Sequence, residues 1–497
     1  MKIMWNNFIK RYVCTVSYEA TIKALHSLQS NSNYLKLAAK NNSQRSDFCK
    51  LFDTKQYLLR SGIALEKLDT LSVIHVAGTK GKGSTCAYTE SILREHGFKT
   101  GFFCSPHLVN VRERIRINGQ PISKMHFTQN FWKIYKKLED AKEYESDMPS
   151  YFKFLTILMF HLFLDEHVDV AIIEVGIGGL YDCTNIVRNP VCVGITSLGL
   201  DHTSLLGNTL EDIAYQKSGI FKSKTVAFSV PQLSEAMHVL EKRAIERNCK
   251  LRIIPSFDEY KWENLSPFLQ ITNKVQQQNA SLAIQIATEW ILSKANKIPS
   301  VLHNSVNNVV CNKYEENIEI TVSMDKIAIG LASCKWPGRM QIMRSSVGDF
   351  FLDGAHTIES MECGISWFND MSSKGKKILI FNTSSGRDSI KLLRPLRSLH
   401  FYKAYFVPNI AGIKSLDDEM NSSSIDEQKI KCEMNSKIWG MNSIVLNNVF
   451  EVLEDIKKNL EQKDDCEKNQ ILVTGSLHLI GAVLAIIDPN LTMKTQF

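Results

Sequence analysis

"VIHVAGTKGKGST", residues 73–85, is the stretch whose reading decides the fold. An apolar run of strand type ends in Gly78, Thr79, Lys80, Gly81, Lys82 and Gly83, with Ser84 and Thr85 behind it. Backbone freedom and positive charge thus stand together at the exit of a buried strand. The run that follows, "STCAYTESILREHG", has a helical pattern. Strand, glycine loop and helix in that order make a phosphate cradle. Loop glycines let N–H groups approach an oxyanion, the helix adds its positive dipole end, and a lysine reaches the terminal phosphates. Lys82 is placed as that lysine and the Ser84 hydroxyl as a magnesium ligand. The spacing departs from GxxxxGK[ST], because Gly78 precedes Gly81 by three residues and Gly83 separates Lys82 from Ser84. A plain glycine turn is the competing reading.

Around this loop short apolar strands alternate with helical stretches. "TGFFCS", "VDVAIIEVG", "VCVGITSLG" and "TVAFSV" read as buried strands bounded by glycine, serine or proline. Such alternation predicts an α/β domain, a parallel sheet with helices on both faces. After the amphipathic helix "QNASLAIQIATEWILSKA" the periodicity weakens to about residue 330, and "CKWPGRM" then suits a hinge at 335–339. "DFFLDGAH", "KKILIFNTSSG", "KAYFVPN" and "NQILVTGS" predict a smaller second α/β domain over 340–497. Between them "KSLDDEMNSSSIDEQK" is expected to be a mobile surface insertion.

A chain of 497 residues is too long for one core. Its net charge of +7 fits anionic small ligands as well as nucleic acid. No run approaches the roughly 18 apolar residues that a membrane span requires. The twelve cysteines contain no CxxC pair, which argues against a zinc or disulfide scaffold and for a reducing compartment. The N-terminus "MKIMWNNFIKRYVCTVSY" carries Lys2, Lys10 and Arg11 and no acid. Residues 1–17 read as a mitochondrial targeting segment or, equally, as a frayed cytosolic end.

Three polar residues stand in apolar places. Glu174 ends the strand "VAIIEVGIGG". A buried carboxylate needs a cation or donors, so Glu174 reads as a magnesium ligand beside the phosphates, or as half of a structural salt bridge. His202, in "SLGLDHTSLLG", follows the next strand, and the two strand exits converge on one ion in this reading. In "NTLEDIAYQKSGI", Thr209 caps a helix with Asp212 three on and Gly219 as its stop. Leu210, Ile213 and Ala214 mark the apolar face, and Lys217 falls on it. Burial there lowers an amine's pKa. Two outcomes are open: the side chain snorkels past the helix end, or the neutral amine takes up carbon dioxide as a carbamate that holds metal.

"GTKGKGS", "SPHLVNVRERIRING", "EVGIGGLYDCTN", "GLDHTSLLG", "WPGR", "LDGAHT" and "VTGSLHLIG" occur in order from about residue 18 to residue 490. Together they resemble the eukaryotic folylpolyglutamate synthases, relatives of the bacterial Mur peptide ligases. The resemblance implies a Mur-ligase-like architecture, with a P-loop-type ATPase domain over 18–334 joined to a Rossmann-like domain over 340–497. It implies that ATP, a tetrahydrofolate and L-glutamate give the elongated folate, ADP and phosphate. By resemblance, Lys82 and Ser84 serve the loop and its magnesium, and Glu174, His202 and a carbamylated Lys217 hold metal. Asn279 contacts nucleotide, Arg339 reaches the ATP phosphates, and Asp353 and His356 lie at the ribose. Two magnesium ions are expected, with a monovalent cation such as K+ allowed. "KVQQQNA" departs from the family, with Val275 where a histidine is usual.

The chemistry fits these residue types. A carboxylate does not react with an amine until a phosphoryl group makes it an acyl phosphate. Lys82, Arg339 and the metal ions neutralise the converging oxyanions. Arg339 stands at the far end of the hinge, so the site is expected to be complete only on domain closure, which also excludes water. "VRERIRINGQPIS" reads as a hairpin turning at Asn118 and Gly119, with Arg112, Arg114 and Arg116 alternating onto one face. That stripe suits a polyglutamate tail or, alternatively, guards a sheet edge. Ser105 and His107 of "SPHL" belong to the folate loop by resemblance. Dihydrofolate synthase, alone or in a bifunctional enzyme, is the nearest rival activity. A motor or nucleic-acid-binding ATPase is disfavoured for want of basic clusters with interleaved aromatics. The expected partners are small molecules without nucleic acid, the expected state a monomer, and the expected location cytoplasm and mitochondrion.

Overall fold

The structure, a computed structural model, describes residues 17–28, 45–267, 273–296, 310–313, 316–319, 321–383, 387–412, 425–461 and 468–494. The expected targeting segment therefore lies outside the described residues, apart from Ser17. So does the expected insertion up to residue 424. Its last part departs from expectation: residues 425–429 open the helix Ile425–Trp439, and Gln428 is buried on it.

The chain divides into two compact units, one of residues 1–105 and 112–334, the other of 106–111 and 335–497. The first holds β1 (Val73–Ala77), β2 (Thr100–Phe103), β3 (Ile115–Ile117), β4 (Gln120–Pro121), β5 (Val170–Glu174), β6 (Cys192–Ile195), β7 (Val226–Ser229) and β8 (Lys250–Ile253). Their order is β4-β3-β2-β5-β1-β6-β7-β8. β2, β5, β1, β6, β7 and β8 are parallel, and at one edge β3 pairs antiparallel with both β2 and β4. A two-stranded ladder of β9 (Val310–Lys313) and β10 (Glu316–Glu319) follows. The central strands are continuous apolar runs because both faces are covered. On one side the helix Tyr151–Asp165 buries most of its length. The helix Lys274–Asn296 buries Trp290 completely and satisfies its indole N–H at Ser72 Oγ, 2.9 Å away. Each large side chain so buried contributes about 1.5–3 kcal/mol.

The second unit holds β11 (Gln341–Arg344), β12 (Asp349–Leu352), β13 (Lys377–Phe381), β14 (Lys403–Phe406), β15 (Ser443–Val445) and β16 (Gln470–Thr474), in the order β11-β12-β16-β13-β14-β15. All pairs are parallel except β11 with β12. Residues 106–111 cluster with this unit, where Leu108 and Val109 pack against the core that contains Ile480.

The arginine stripe needs correction. The hairpin forms with its turn at Asn118 (φ 49°) and Gly119 (φ 76°), but its strand starts only at Ile115. Arg112 and Arg114 lie in the 3₁₀ turn Val111–Arg114, so the period of two that would align them with Arg116 is absent. Arg112 donates to Ile122 O at 2.7 Å, Arg114 is buried with its guanidinium over the Tyr151 ring, and Arg116 donates to Glu113 O at 3.1 Å.

Two buried histidines tie the first unit's stability to pH. His161 contacts Ser61 Oγ at 2.9 Å, and burial, with Lys133 and Lys137 adding, lowers its pKa to about 4. His75 is wholly buried, and burial, with Lys222 adding, lowers its pKa to about 3. The unfolded chain takes up these protons near pH 6.5 and the folded chain does not, so stability is full above that pH. It falls by about 1.4 kcal/mol per group per pH unit below it, until the folded value is reached. His161→Gln is expected to make the unfolding free energy less steep between pH 6.5 and 5 by about one proton. An unchanged slope would mean that His161 titrates normally in the fold.

Candidate functional site

In the first unit β1 lies between β5 and β6. The chain reverses its direction of travel across the sheet there, so the loops after these three strands flank the crevice where α/β sheets bind ligands. The loop after β1 is stapled to the exit of β6. Thr79 and Lys80 donate their N–H groups to Ser197 O at 2.9 and 3.1 Å, and Thr79 Oγ1 exchanges hydrogen bonds with the Gly199 backbone. Lys80 Nζ lies 3.8 Å from Asp201 Oδ2.

Gly81 caps the helix Lys82–Glu95 at φ 88°, without a side-chain cap. The loop packs so closely that a Cβ at Gly81 would sit 2.1 Å from Asn279 Oδ1, and one at Gly78 would sit 1.7 Å from Thr196 Oγ1. Glycine is required at both places, and the helix N-terminus is left to offer its N–H groups to an anion. Ser84 is buried in the first turn of that helix. Asn279, buried on Lys274–Asn296, also donates to Gln276 Oε1 at 3.3 Å.

Lys82 Nζ lies 4.0 Å from Glu174 Oε1, while Glu174 Oε2 accepts the Ser105 N–H at 3.0 Å. The cation and the buried acid at the strand tips therefore face each other. The helix Leu210–Lys217 forms as its sequence prescribes, with a reciprocal capping box between Thr209 and Asp212 and with Ile213, Ala214 and Lys217 buried. Lys217 does not snorkel. It is 4% exposed, and its Nζ donates to Gly78 O at 2.8 Å, underneath the glycine loop. Burial first, and the charge of Lys82 second, lower its pKa to about 7.

Lys82, Glu174, Lys217 and Asn279 thus gather on the loop of residues 78–81. His202 stands at an exposed left-handed position (φ 51°) capping the short helix Thr203–Leu206. Among the described residues no three His, Cys, Asp or Glu side chains gather as a metal cluster. The donors nevertheless suit a hard cation in kind. The Ser84 hydroxyl and the buried Glu174 carboxylate offer oxygen atoms of the kind such a cation takes, whereas Lys217 would offer one only if its amine were converted to a carbamate.

In the second unit Asp353 follows β12 and accepts the Met340 N–H at 2.9 Å, and a Cβ on Gly354 would come 3.0 Å from the Arg339 guanidinium. His356 Nδ1 is 2.6 Å from Gly354 O, and its own carbonyl accepts from Arg387 at 2.8 Å. Arg339, Asp353 and His356 therefore share the carboxyl end of one strand. His107 is buried within the segment that clusters with this unit, whereas Ser105 belongs to the first. Sequence reasoning missed the buried Asn382 and Thr383 at the end of β13, whose Nδ2 and Oγ1 have no partner among the described residues. It also missed Asp182, Thr184 and His75, although an Asp-x-Thr step directly after a glycine-rich turn was a signal for local side-chain-to-backbone bonding.

The profile of the Mur ligase middle domain matches residues 76–296. The mitochondrial folylpolyglutamate synthase of Bos taurus is 38% identical, over 96% of this chain and 93% of that protein. That of Homo sapiens is 36% identical over the same shares. The folylpolyglutamate synthase of Saccharomyces cerevisiae (strain YJM789) is 37% identical, over 95% of this chain and 87% of its own. Among solved structures, E.coli FolC in complex with ADP, without folate substrate, superposes with a TM-score of 0.65 at 25% identity, covering 88% of this chain and 94% of that one. An FPGS-AMPPCP-folate complex has the same fold, with a TM-score of 0.67 at 22% identity, covering 94% and 99%.

Proposed function

The chain belongs to the folylpolyglutamate synthase family, and on that premise we propose that it adds L-glutamate to the γ-carboxylate of a tetrahydrofolate at the expense of ATP. The observation that carries this is the meeting of Lys82, Glu174 and Lys217 on the glycine loop of a Mur ligase middle domain. ATP lies with its phosphates on the N–H groups of residues 81–84, and Lys82 neutralises the γ-phosphoryl oxygens as they take on charge. Transfer to the folate carboxylate gives an acyl phosphate. The glutamate amine attacks that carbonyl and phosphate leaves. Ser84, Glu174, His202 and a carbamylated Lys217 would hold two magnesium ions, which supply Lewis-acid charge to the transferring group when bound.

Asn279 fixes the loop and the nucleotide above it. Ser105 orients Glu174 through its N–H and, with His107, Arg112 and Arg114, marks the folate side. Arg339, Asp353 and His356 bind nucleotide. The mitochondrial names of the Bos taurus and human relatives support a location in mitochondria, and the proposal includes a cytosolic pool beside it.

Under this reading ADP release requires folate and glutamate together, and mass spectrometry of the folate after reaction finds it heavier by whole glutamate units. Rapid ADP release with neither present, or an unaltered folate, would reject the proposal.

A further inference from the structure

The segment that leaves β6 carries the glycine loop but has little of its own to hold it. β6 ends at Ile195, Gly199 has open space where a side chain would stand, and Leu200 is 60% exposed. Thr79 and Lys80 nevertheless donate to Ser197 O, and Thr79 Oγ1 exchanges hydrogen bonds with Gly199. Gly78 lies so close to Thr196 that neither can shift without the other. The neighbouring strand does not run on to support this segment. Val230 still donates its N–H to Ile195 O at 3.1 Å, but Pro231 has no N–H to offer next.

The Gln232 side chain supplies what the proline withholds. Its Nε2 donates to Thr196 O at 3.0 Å and to Ser229 Oγ at 3.2 Å, and its Oε1 accepts the Leu198 N–H at 3.0 Å. The amide can stand only this way round, because a carbonyl accepts and a backbone N–H donates. Ser229 is wholly buried and gives its own proton to Val230 O at 2.7 Å, so it accepts from the amide. Both amide protons and the amide oxygen are thus committed, and the side chain closes on the two residues that flank Ser197.

Residues 196–199 are therefore gripped from two sides. Gln232 holds Thr196 and Leu198 on the side of β7, while residues 79 and 80 hold Ser197 and Gly199 on the side of β1. Two residues further on, Asp201 Oδ2 stands 3.8 Å from Lys80 Nζ. Without the amide, Thr196 O and the Leu198 N–H would turn to water, and the glycine loop would rest on a segment free to drift.

We propose that Gln232 is a positioning residue for ATP: by bracing residues 196–199 it keeps the glycine loop in the shape that receives the phosphates. The inference rests on the reading in which that loop binds ATP.

Calorimetric titration of the full chain with ATP in magnesium buffer reads both the dissociation constant and the number of sites. Gln232→Ala is expected to raise the Kd for ATP roughly tenfold, the scale of the hydrogen bonds removed. KM for ATP should rise in step, with those for tetrahydrofolate and glutamate within about threefold of wild type. A role confined to stability would lower the number of sites per chain and leave the Kd of the remaining ones unchanged. Gln232→Glu sets a carboxylate oxygen against Thr196 O, whereas the protonated acid regains a donor there. The facing carbonyl favours the protonated form. The ATP Kd of Gln232→Glu, divided by that of wild type at the same pH, is therefore expected to fall at least about threefold between about pH 8 and about pH 5.5. If Gln232→Ala fails to fold, Gln232→Glu decides. An ATP Kd within about twofold of wild type in Gln232→Ala, or a deficit in Gln232→Glu that pH does not change, overturns the proposal. A wild type that takes up no ATP, or that releases no ADP with folate and glutamate together, overturns instead the function it rests on.

Discussion

Lys82→Met is expected to lower kcat by roughly 100- to 1,000-fold while the protein remains folded. Methionine keeps most of the side chain's length and its apolar stem, so packing at the start of the helix Lys82–Glu95 survives. The positive charge is lost at the point where the γ-phosphoryl oxygens gain negative charge in transfer. It is also lost from beside Glu174, a carboxylate 4% exposed, with the Lys82 ammonium 4.0 Å from one of its oxygens. Both effects act on the charged transition state, so kcat rather than KM carries most of the loss. Lys82→Arg is expected to fail as well, since a planar guanidinium does not fit where a compact ammonium stands over closely packed glycines. ADP release with saturating folate and glutamate measures the effect. A Lys82→Met enzyme that retains more than about a tenth of its turnover would remove the glycine loop from the catalytic reading.

The legible parts of this fold are those whose physics is local. β1, β2, β5, β6 and β7, and β12, β13, β14 and β16 in the second unit, are evident as apolar runs because strands covered on both faces carry no polar alternation. β8 reads "KLRI" and β11 reads "QIMR", and both lie at sheet edges. There one side is open, and charge is tolerated or protective, so the apolar signal is diluted. The same ambiguity misled the reading of "RERIR": alternation of charge is compatible with a strand, yet the Cys104 N–H bonds Arg114 O and the preceding residues close into a tighter turn.

In the site, the place of Lys217 on the apolar face was legible from the capping box and the apolar positions, whereas the sequence left open whether its side chain snorkels past the helix end, which it does not. Its acceptor, Gly78 O, was not legible, because residues 139 apart in the chain meet only in the folded sheet. The clustering of residues 106–111 with the second unit was hidden for the same reason.

Lys217→Ala is expected to reduce turnover by at least about 100-fold, and short carboxylates such as acetate or formate are expected to restore part of it. Carbon dioxide adds only to a neutral amine. A lysine buried under the loop, with a pKa lowered to about 7, supplies that form at physiological pH, whereas an ordinary surface lysine does not. Linkage gives the consequence for the unmodified chain. Between about pH 7 and the ordinary lysine value the unfolded state binds a proton that the folded state does not, so this group's contribution to stability rises with pH across that window and is lowest below it. Carbamate formation would join the neutral amine to carbon dioxide, release one proton and leave a carboxylate on a lysine whose Nζ lies 2.8 Å from Gly78 O. Wild-type activity should therefore be low after removal of carbon dioxide and recover on adding bicarbonate, with less recovery as pH drops through 7, whereas the alanine variant should answer to an added short carboxylate. Full turnover in Lys217→Ala would dismiss the carbamate. A severe loss that no small acid repairs would make Lys217 a prop for the glycine loop, its amine needed only to hold Gly78 in place.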